Sequence, residues 1–146
     1  MFTPHAACIV TPLTRVLETC LYAEDLDAAR HFYEHVLGLR LHSMRAGRHL
    51  FFHCGQNMVL IFNPAATEQC EPDGVPCHGS RGPGHIAWKM TRDELAVWRT
   101  RLAEKRVPIE HEETWPNGAH SIYFRDPAGN SLEFANGSLW ANDPDD

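Results

Sequence analysis

One pattern of predicted elements occurs twice along the 146 residues, and this repeat limits the possible folds more than any other feature of the sequence. Each copy is a strand, a helix and three further strands, predicted from residue alternation, helical spacing and turn residues. A stretch rich in Pro, Gly and acidic residues separates the copies. One βαβββ unit cannot cover its own sheet, so we expect two units to pair, within one chain or between two chains, and enclose a cavity.

Turn residues divide the chain into two modules. Gly38 follows the first predicted helix, as expected of a helix end, and Thr91 and Glu94 have the spacing of a capping box at the start of the second. The predicted fold class is therefore α+β, with two βαβββ modules. We expect the following parts along the chain: a first module at 15–63, a connecting loop at 64–82, a second module at 83–136 and a polar tail at 137–146.

The charge distribution argues against two classes of partner. The formal net charge is −6, and the basic residues are mixed with acidic ones instead of forming a stripe, so nucleic-acid binding is not expected. No apolar stretch is long enough to span a bilayer, so a membrane partner is not expected either. The first residues lack the basic start and long apolar middle of a secretory signal, which favours a cytoplasmic location.

The five cysteines are odd in number and contain no CxxC pair. Three of them lie in apolar or strand-like surroundings and are expected to be buried thiols: Cys8, Cys20 and Cys54. Cys70, Cys77 and His78 fall in the connecting loop. They could form a partial metal site, but their spacing matches no common zinc pattern.

Strand alternation identifies three candidate metal ligands. Glu18 and His85 open the first strands of their modules, and Glu133 lies on the last strand of the second module. Each is on the opposite side of its strand from a run of apolar residues. A carboxylate that faces a cavity is costly unless a partner such as a metal ion compensates it. Taken alone, each of the three is more often a structural or solvent-facing residue, so alternation leaves both interpretations open.

Three motifs make the sequence resemble the vicinal oxygen chelate superfamily, the group of glyoxalases, fosfomycin-resistance proteins and extradiol dioxygenases. The motifs are DLDAARHFYEHVLGL after the first strand, GHIAWKM at the start of the second module and YFRDPAGNSLEF near the end. The resemblance covers residues 15–136 and implies a half-barrel cavity with His85 and Glu133 as metal ligands. The third ligand position, often His or Gln in the superfamily, is Glu18. A fourth position, Glu in the glyoxalase I type, falls on about Leu60, which cannot bind a metal.

The resemblance implies an enzyme that uses a divalent metal ion, Mn²⁺, Fe²⁺, Zn²⁺ or Ni²⁺. Such an enzyme acts on a small substrate chelated through two adjacent oxygens, as a lyase, an isomerase or a dioxygenase. The alternative is a metal-free binding protein, similar to the members that sequester bleomycin. Members of this size usually form homodimers, and the metal site lies within one chain or is shared between two.

Two further residues are candidates for catalysis. Tyr123 shares a strand face with Ser121, and in the resembled superfamily this position faces the cavity; packing of its ring in the core is the alternative. His49 and His53 share a face of a first-module strand. Either His49 or His53 could be a general base or a hydrogen-bond donor to the substrate, and His49 is taken as the candidate; a polar residue at the rim of the cavity is the alternative for each.

Overall fold

The computed structural model describes residues 13–136 and 139–140. The strands have these bounds: β1 Glu18–Tyr22, β2 Arg40–Arg45, β3 His49–Cys54, β4 Asn57–Phe62, β5 His85–Met90, β6 His111–Thr114, β7 His120–Arg125 and β8 Ser131–Asn136. The α-helices are α1 Leu26–His31, α2 Pro64–Thr67 and α3 Arg92–Glu104, and a π-helical turn at Phe32–Val36 continues α1. No helix in this part of the chain is long and apolar enough to cross a membrane.

Two four-stranded mixed sheets form, one from each predicted module, and we call these parts the first and second modules. The strand order is β1-β4-β3-β2 in the first sheet and β5-β8-β7-β6 in the second. In each sheet the first strand runs parallel to the last strand of its module, and the other pairs are antiparallel. The α+β fold with two βαβββ modules is therefore confirmed.

The core lies between the helices and one face of each sheet. From the first module it contains Leu21, Phe52 and Ile61, and from the second Ile122 and Phe134, all nearly inaccessible to solvent. These residues alternate along their strands with the residues of the opposite face, as period-2 patterning requires. We call the second face of each sheet, which points away from the helices, its open face. The candidate ligands lie on the open faces.

The connecting loop is more structured than the sequence indicated. It begins with the short helix α2. After this helix, a disulfide bond joins Cys70 to Cys77, which are seven residues apart in sequence. The disulfide excludes the partial metal site with His78, which the spacing already disfavoured, because thiols in a disulfide are not available as metal ligands.

Cys20 and Cys54 also differ from their prediction as buried thiols. Cys20 is exposed because it lies on the open face of β1. Cys54 is partly buried, and its sulfur accepts a hydrogen bond of 3.3 Å from Trp88 Nε1. Cys8 lies outside the described residues.

Candidate metal centre

His85 and Glu133 meet on the open face of the second module. They lie on the adjacent strands β5 and β8, where His85 is paired with Ser131 and Glu133 with Ala87. His85 Nε2 is 3.4 Å from Glu133 Oε2. The parallel pairing thus brings together two residues that are 48 positions apart in sequence.

The hydrogen bond at the other nitrogen of His85 fixes which ring nitrogen carries the proton. His85 Nδ1 lies 3.0 Å from the backbone oxygen of Ser131. A carbonyl oxygen can only accept, so Nδ1–H is the donor and the neutral ring has its lone pair on Nε2. This orientation by a backbone carbonyl is typical of metal-binding histidines.

The lone pair on His85 Nε2 and an oxygen of Glu133 therefore face each other at 3.4 Å. Two such atoms repel unless a proton or a cation lies between them. Ligands bound to one ion at normal zinc distances with a tetrahedral angle are separated by about 3.3–3.4 Å. The pair thus has the spacing of two ligands on one metal ion.

The carboxylate of Glu133 has the clearest need for a further partner. Its side chain is 8% exposed, and its Oε1 is buried without a hydrogen-bond partner. Among the described side chains, no other buried nitrogen or oxygen atom lacks a partner. A buried carboxylate oxygen without a partner is costly, so native proteins rarely leave one. A metal ion would satisfy this oxygen, and the chemistry of the donors fits a divalent ion.

Tyr123 extends the same site. It lies opposite Glu133 in the β7–β8 pairing. Burial, followed by a hydrogen bond with the Glu133 carboxylate, raises the pKa of the Tyr123 hydroxyl. The hydroxyl therefore stays protonated across the physiological range and can donate a hydrogen bond to an oxygen on this face.

Glu18 is not brought into contact with this pair. It is exposed on β1, and with His85 it lines a cleft of about 540 Å³ between the first strands of the two modules. No group of three or more His, Cys, Asp or Glu side chains in the described residues is arranged to hold one metal ion. One chain therefore presents His85, Glu133 and Tyr123 together, with Glu18 on the other module.

His49 lies on the open face of the first module, whereas His85 and Glu133 lie on the sheet of the second module. Its ring stacks on Phe51 with centroids 4.1 Å apart. Burial, and then the positive charges of Arg48 and Arg45, lower the pKa of His49. The imidazole is therefore neutral at pH 7, as a general base has to be.

Sequence reasoning missed a set of rings beside His49. Phe62 packs against Phe51, and His78 from the connecting loop packs against Phe62 with centroids 4.6 Å apart. Period-2 alternation would have placed Phe62 on the open face. Nothing in the sequence alone would have placed His78 there, because its position depends on the path of the loop.

The DPAGN turn delivers β8 and also ties the two modules together. Both oxygens of Asp126 accept hydrogen bonds: Oδ1 from two backbone amides of the turn, and Oδ2 from the Asn130 amide at 2.8 Å and the Tyr33 hydroxyl at 2.9 Å. Asn130 Nδ2 also donates to the backbone oxygen of Tyr22 at 3.1 Å. The register of Glu133 is thus fixed from the first module.

Gly84 allows the start of β5 to approach this turn. Its amide donates to Asn130 Oδ1 at 2.8 Å. A Cβ atom at this position would lie 2.7 Å from Leu21 Cδ2 and 3.2 Å from Asn130 Oδ1. A side chain next to His85 would therefore require the buried Leu21 to shift, which accounts for the glycine of the GH motif.

The described geometry agrees with what sequence comparison finds. The family model of the Glyoxalase/Bleomycin resistance protein/Dioxygenase superfamily matches residues 15–134. The chain belongs to this superfamily. Among curated proteins no sequence matches the chain significantly.

Solved structures include several relatives within the superfamily fold. The crystal structure of lactoylglutathione lyase from Agrobacterium tumefaciens is 42% identical, with a TM-score of 0.85 over 89% of this chain and 98% of that one. A glyoxalase/bleomycin resistance protein/dioxygenase from Nocardioides is 22% identical, with a TM-score of 0.69 over 88% and 86% of the two chains. A genomically encoded fosfomycin resistance protein from Listeria monocytogenes is 19% identical, with a TM-score of 0.66 over 88% and 97%. The last two support the glyoxalase superfamily fold alone.

Proposed function

We propose that this protein is a divalent-metal-dependent enzyme that acts on a small substrate chelated through two adjacent oxygens. The single observation that carries the proposal is the Glu133 carboxylate, whose Oε1 is buried without a partner and whose Oε2 lies 3.4 Å from Nε2 of His85. The unpartnered Oε1 costs free energy in a protein that binds no cation there, and the close approach of Oε2 to Nε2 does so unless a proton lies between the two atoms. A metal ion turns both into favourable interactions.

The proposed ligands are His85 and Glu133, with Glu18 as the third. Two carboxylates and a neutral imidazole balance the charge of a divalent ion, and Mn²⁺, Fe²⁺, Zn²⁺ and Ni²⁺ suit this donor set. A bound ion would act as a Lewis acid toward a substrate oxygen that becomes negatively charged. Tyr123, which is protonated at physiological pH, would turn its hydroxyl proton from the Glu133 carboxylate to that substrate oxygen and donate a hydrogen bond to it.

The lyase subtype is the first to consider, because the relative that is 42% identical is a lactoylglutathione lyase. Isomerase and dioxygenase chemistry are the other possibilities for the same donor set. Leu60 argues for a site with three protein ligands, since it occupies the first-module position equivalent to Glu133. Lactoylglutathione is therefore the first compound to test, followed by other vicinal dioxygenated compounds.

We further propose that the protein is a homodimer whose metal site is shared between two chains. Glu18 of one chain would complete the pair of His85 and Glu133 of the other. This arrangement accounts for the separation of Glu18 from that pair within one chain. It would also cover the open-face residues of β1 and β5, which are exposed or half-buried in one chain.

Metal analysis of untagged protein purified without chelator tests the metal site. We expect about one divalent ion per chain, lost in Glu133→Ala and His85→Ala and retained in Glu104→Ala, an exposed carboxylate on α3. Chelator-treated protein should be inactive toward its substrate and regain activity when the ion is returned. A wild-type protein that binds no ion after reconstitution would remove the enzyme proposal.

Mixing two inactive variants tests whether the site is shared. In a heterodimer of one Glu18→Gln chain and one Glu133→Gln chain, a shared arrangement leaves one of the two metal sites with all of its ligands. If each site lies within one chain, both sites of the heterodimer lack a ligand. Random exchange of subunits should therefore restore about a quarter of the wild-type activity. No recovery, with heterodimers demonstrated by mass spectrometry, would place all ligands in one chain.

Sequestration of a small molecule without a metal is the second candidate. The observation that favours it is the row of exposed and half-buried rings on the first open face, which can bind a ligand without any metal. Ligand binding that is unchanged by chelators, together with absence of the ion, would support this function.

A further inference from the structure

The open face of the first module carries five aromatic rings in mutual contact. We call this set the aromatic wall: Tyr22, His49, Phe51, Phe62 and His78. The rings of His49 and Phe51 are stacked at 4.1 Å, and Phe62 contacts Phe51 edge-on at 5.5 Å. His78 contacts Phe62 at 4.6 Å and Tyr22 at 5.9 Å. The rings therefore form a continuous surface.

His78 is held in the wall by contacts with three other parts of the chain. Its Nδ1 lies 2.7 Å from the Tyr22 hydroxyl oxygen, and its backbone amide donates to the Thr67 oxygen at 3.0 Å. The disulfide between Cys70 and Cys77 immediately precedes it. A fixed His78 adds a polar edge to a surface that is otherwise apolar.

Arginine side chains border the aromatic wall on the outer strand β2. Arg45 is paired with His49, so it extends the same row across the open face, and Arg40 is paired with His53 in another row. Both arginines are exposed. The positive charge reaches the wall, because Arg48 and Arg45 both lower the pKa of His49. The face thus combines aromatic rings with a cationic edge, although the chain as a whole is acidic.

We propose that the aromatic wall binds an aromatic ring of the substrate and that Arg45 binds an anionic group at the far end of that ring. The inference rests on the proposed function, because the vicinal oxygens of the substrate would lie at His85 and Glu133 of the other chain, which the proposed shared site brings beside Glu18 and the first open face. The substrate class is therefore an aromatic anion that has vicinal oxygens at one end and a negative charge at the other. Charge complementarity selects this class over an apolar or cationic ring.

Three oxo acids separate the parts of this proposal. 4-Carboxyphenylglyoxylate has vicinal oxygens, an aromatic ring and a remote carboxylate. Phenylglyoxylate lacks the remote carboxylate, so it isolates the contribution of that group. Cyclohexylglyoxylate also lacks it and has a saturated ring of similar size, so it isolates the contribution of aromaticity. Calorimetry with the wild type should show that the phenyl compound binds about 2- to 12-fold more tightly than the cyclohexyl compound, as expected for aromatic contacts. The remote carboxylate should improve binding by about 1.4- to 5-fold.

Two variants assign each preference to its residue. Phe51→Leu should equalise the phenyl and cyclohexyl compounds, and Phe62→Leu serves the same purpose should the first variant fold poorly by circular dichroism. Arg45→Ala should remove the advantage of the remote carboxylate and leave the aromatic preference. Met58→Leu changes a half-buried, non-aromatic residue on the same open face and should alter neither ratio.

The failure of this proposal can be distinguished from the failure of the metal site. All titrations are repeated with metal-loaded and chelator-treated protein. If the protein binds no metal, the aromatic and carboxylate ratios should still be present, because the wall needs no ion. Equal affinities of the three compounds in the wild type, absence of binding, or ratios unaffected by Phe51→Leu and Phe62→Leu would overturn the proposal, whatever the metal content.

Discussion

The open faces of the two modules have the same strand plan but opposite chemistry. Leu60 pairs with the third residue of β1 and with Phe51, whereas Glu133 pairs with the third residue of β5 and with Tyr123. Leu60 and Glu133 are therefore equivalent, as are Phe51 and Tyr123. The second module has a carboxylate and a hydroxyl where the first has an aliphatic side chain and a bare ring.

This difference indicates a division of roles between two copies of one unit. The shared βαβββ plan fixes where side chains point, and it leaves the choice of side chain free at each position. The second module retains the donors that suit a metal ion. In our proposal the first supplies one ligand, Glu18, and otherwise a surface for recognition.

Replacing Glu133 with the leucine of the first module should have the largest effect. Glu133→Leu is expected to abolish metal binding and activity, a loss of more than about 100-fold. It should also raise the free energy of unfolding of the metal-free protein by about 1–3 kcal/mol, because it removes a buried oxygen that lacks a partner. Urea unfolding in chelator measures the second effect, with Glu113→Leu, a more exposed carboxylate, as control. A less stable metal-free variant would contradict our account of Glu133.

The reverse exchange should be destabilising. Leu60 is 4% exposed and is paired with Cys20 and Phe51, neither of which carries a positive charge, so Leu60→Glu buries a carboxylate that these neighbours do not compensate. We expect the free energy of unfolding without metal to fall by about 2–5 kcal/mol. Added metal should recover part of this loss for Leu60→Glu and none for Leu60→Gln, since only the carboxylate adds a charged ligand. Equal recovery in both variants would show that position 60 does not reach the ion.

Removing the hydroxyl of Tyr123 makes this position resemble Phe51. Tyr123→Phe should lower kcat by about 100-fold and leave KM and metal content nearly unchanged, as expected for a group that moves or donates a proton. Steady-state kinetics together with metal analysis test this, and Phe51→Tyr is the matched exchange, with no expected gain in kcat. A rise in KM at constant kcat would instead indicate a residue that only binds substrate.

The smallest expected effect concerns the cationic edge of the first open face. Arg45→Ala should raise the pKa of His49 toward its ordinary value, because Arg45 is one of the charges that lower it. NMR titration of the imidazole measures the change. The His53 pKa should not move, since partial burial, Arg40 and His42 lower it.

The sign of the accompanying pH dependence follows from the same shift. The unfolded chain binds a proton at His49 more readily than the folded chain does. His49 therefore destabilises the fold as pH falls from about 6.5 through its lowered folded pKa. This loss should be smaller in Arg45→Ala, and an unchanged pH dependence would contradict the assignment.

The fold could be predicted from the sequence because local residue patterns indicate each element of the repeat. Alternation, helix caps and turn residues are short-range signals, and they located the two modules and the open-face positions of Glu18, His85 and Glu133. The capping box at Thr91 and Glu94 forms with both of its hydrogen bonds. The metal role of the three residues stays a prediction, and so does the catalytic role of Tyr123 and His49.

These local signals could not predict features that depend on contacts between distant parts of the chain. The disulfide between Cys70 and Cys77 and the position of His78 depend on how an aperiodic loop crosses the first module. The exposure of Cys20 was misjudged because an open sheet face can be apolar in sequence and still uncovered in one chain. In our proposal Glu18 joins His85 through chain association, which no local pattern encodes.

The hydrogen bond between Tyr33 and Asp126 can form only late in the synthesis of the chain. The two partners are 93 residues apart, so the ribosome completes the entire first module long before it adds the carboxylate that satisfies the Tyr33 hydroxyl. Until then a nascent first module holds a phenol whose partner does not yet exist. A truncated product that ends in the connecting loop would therefore be an unfinished half and a substrate for proteolysis, not a smaller working protein.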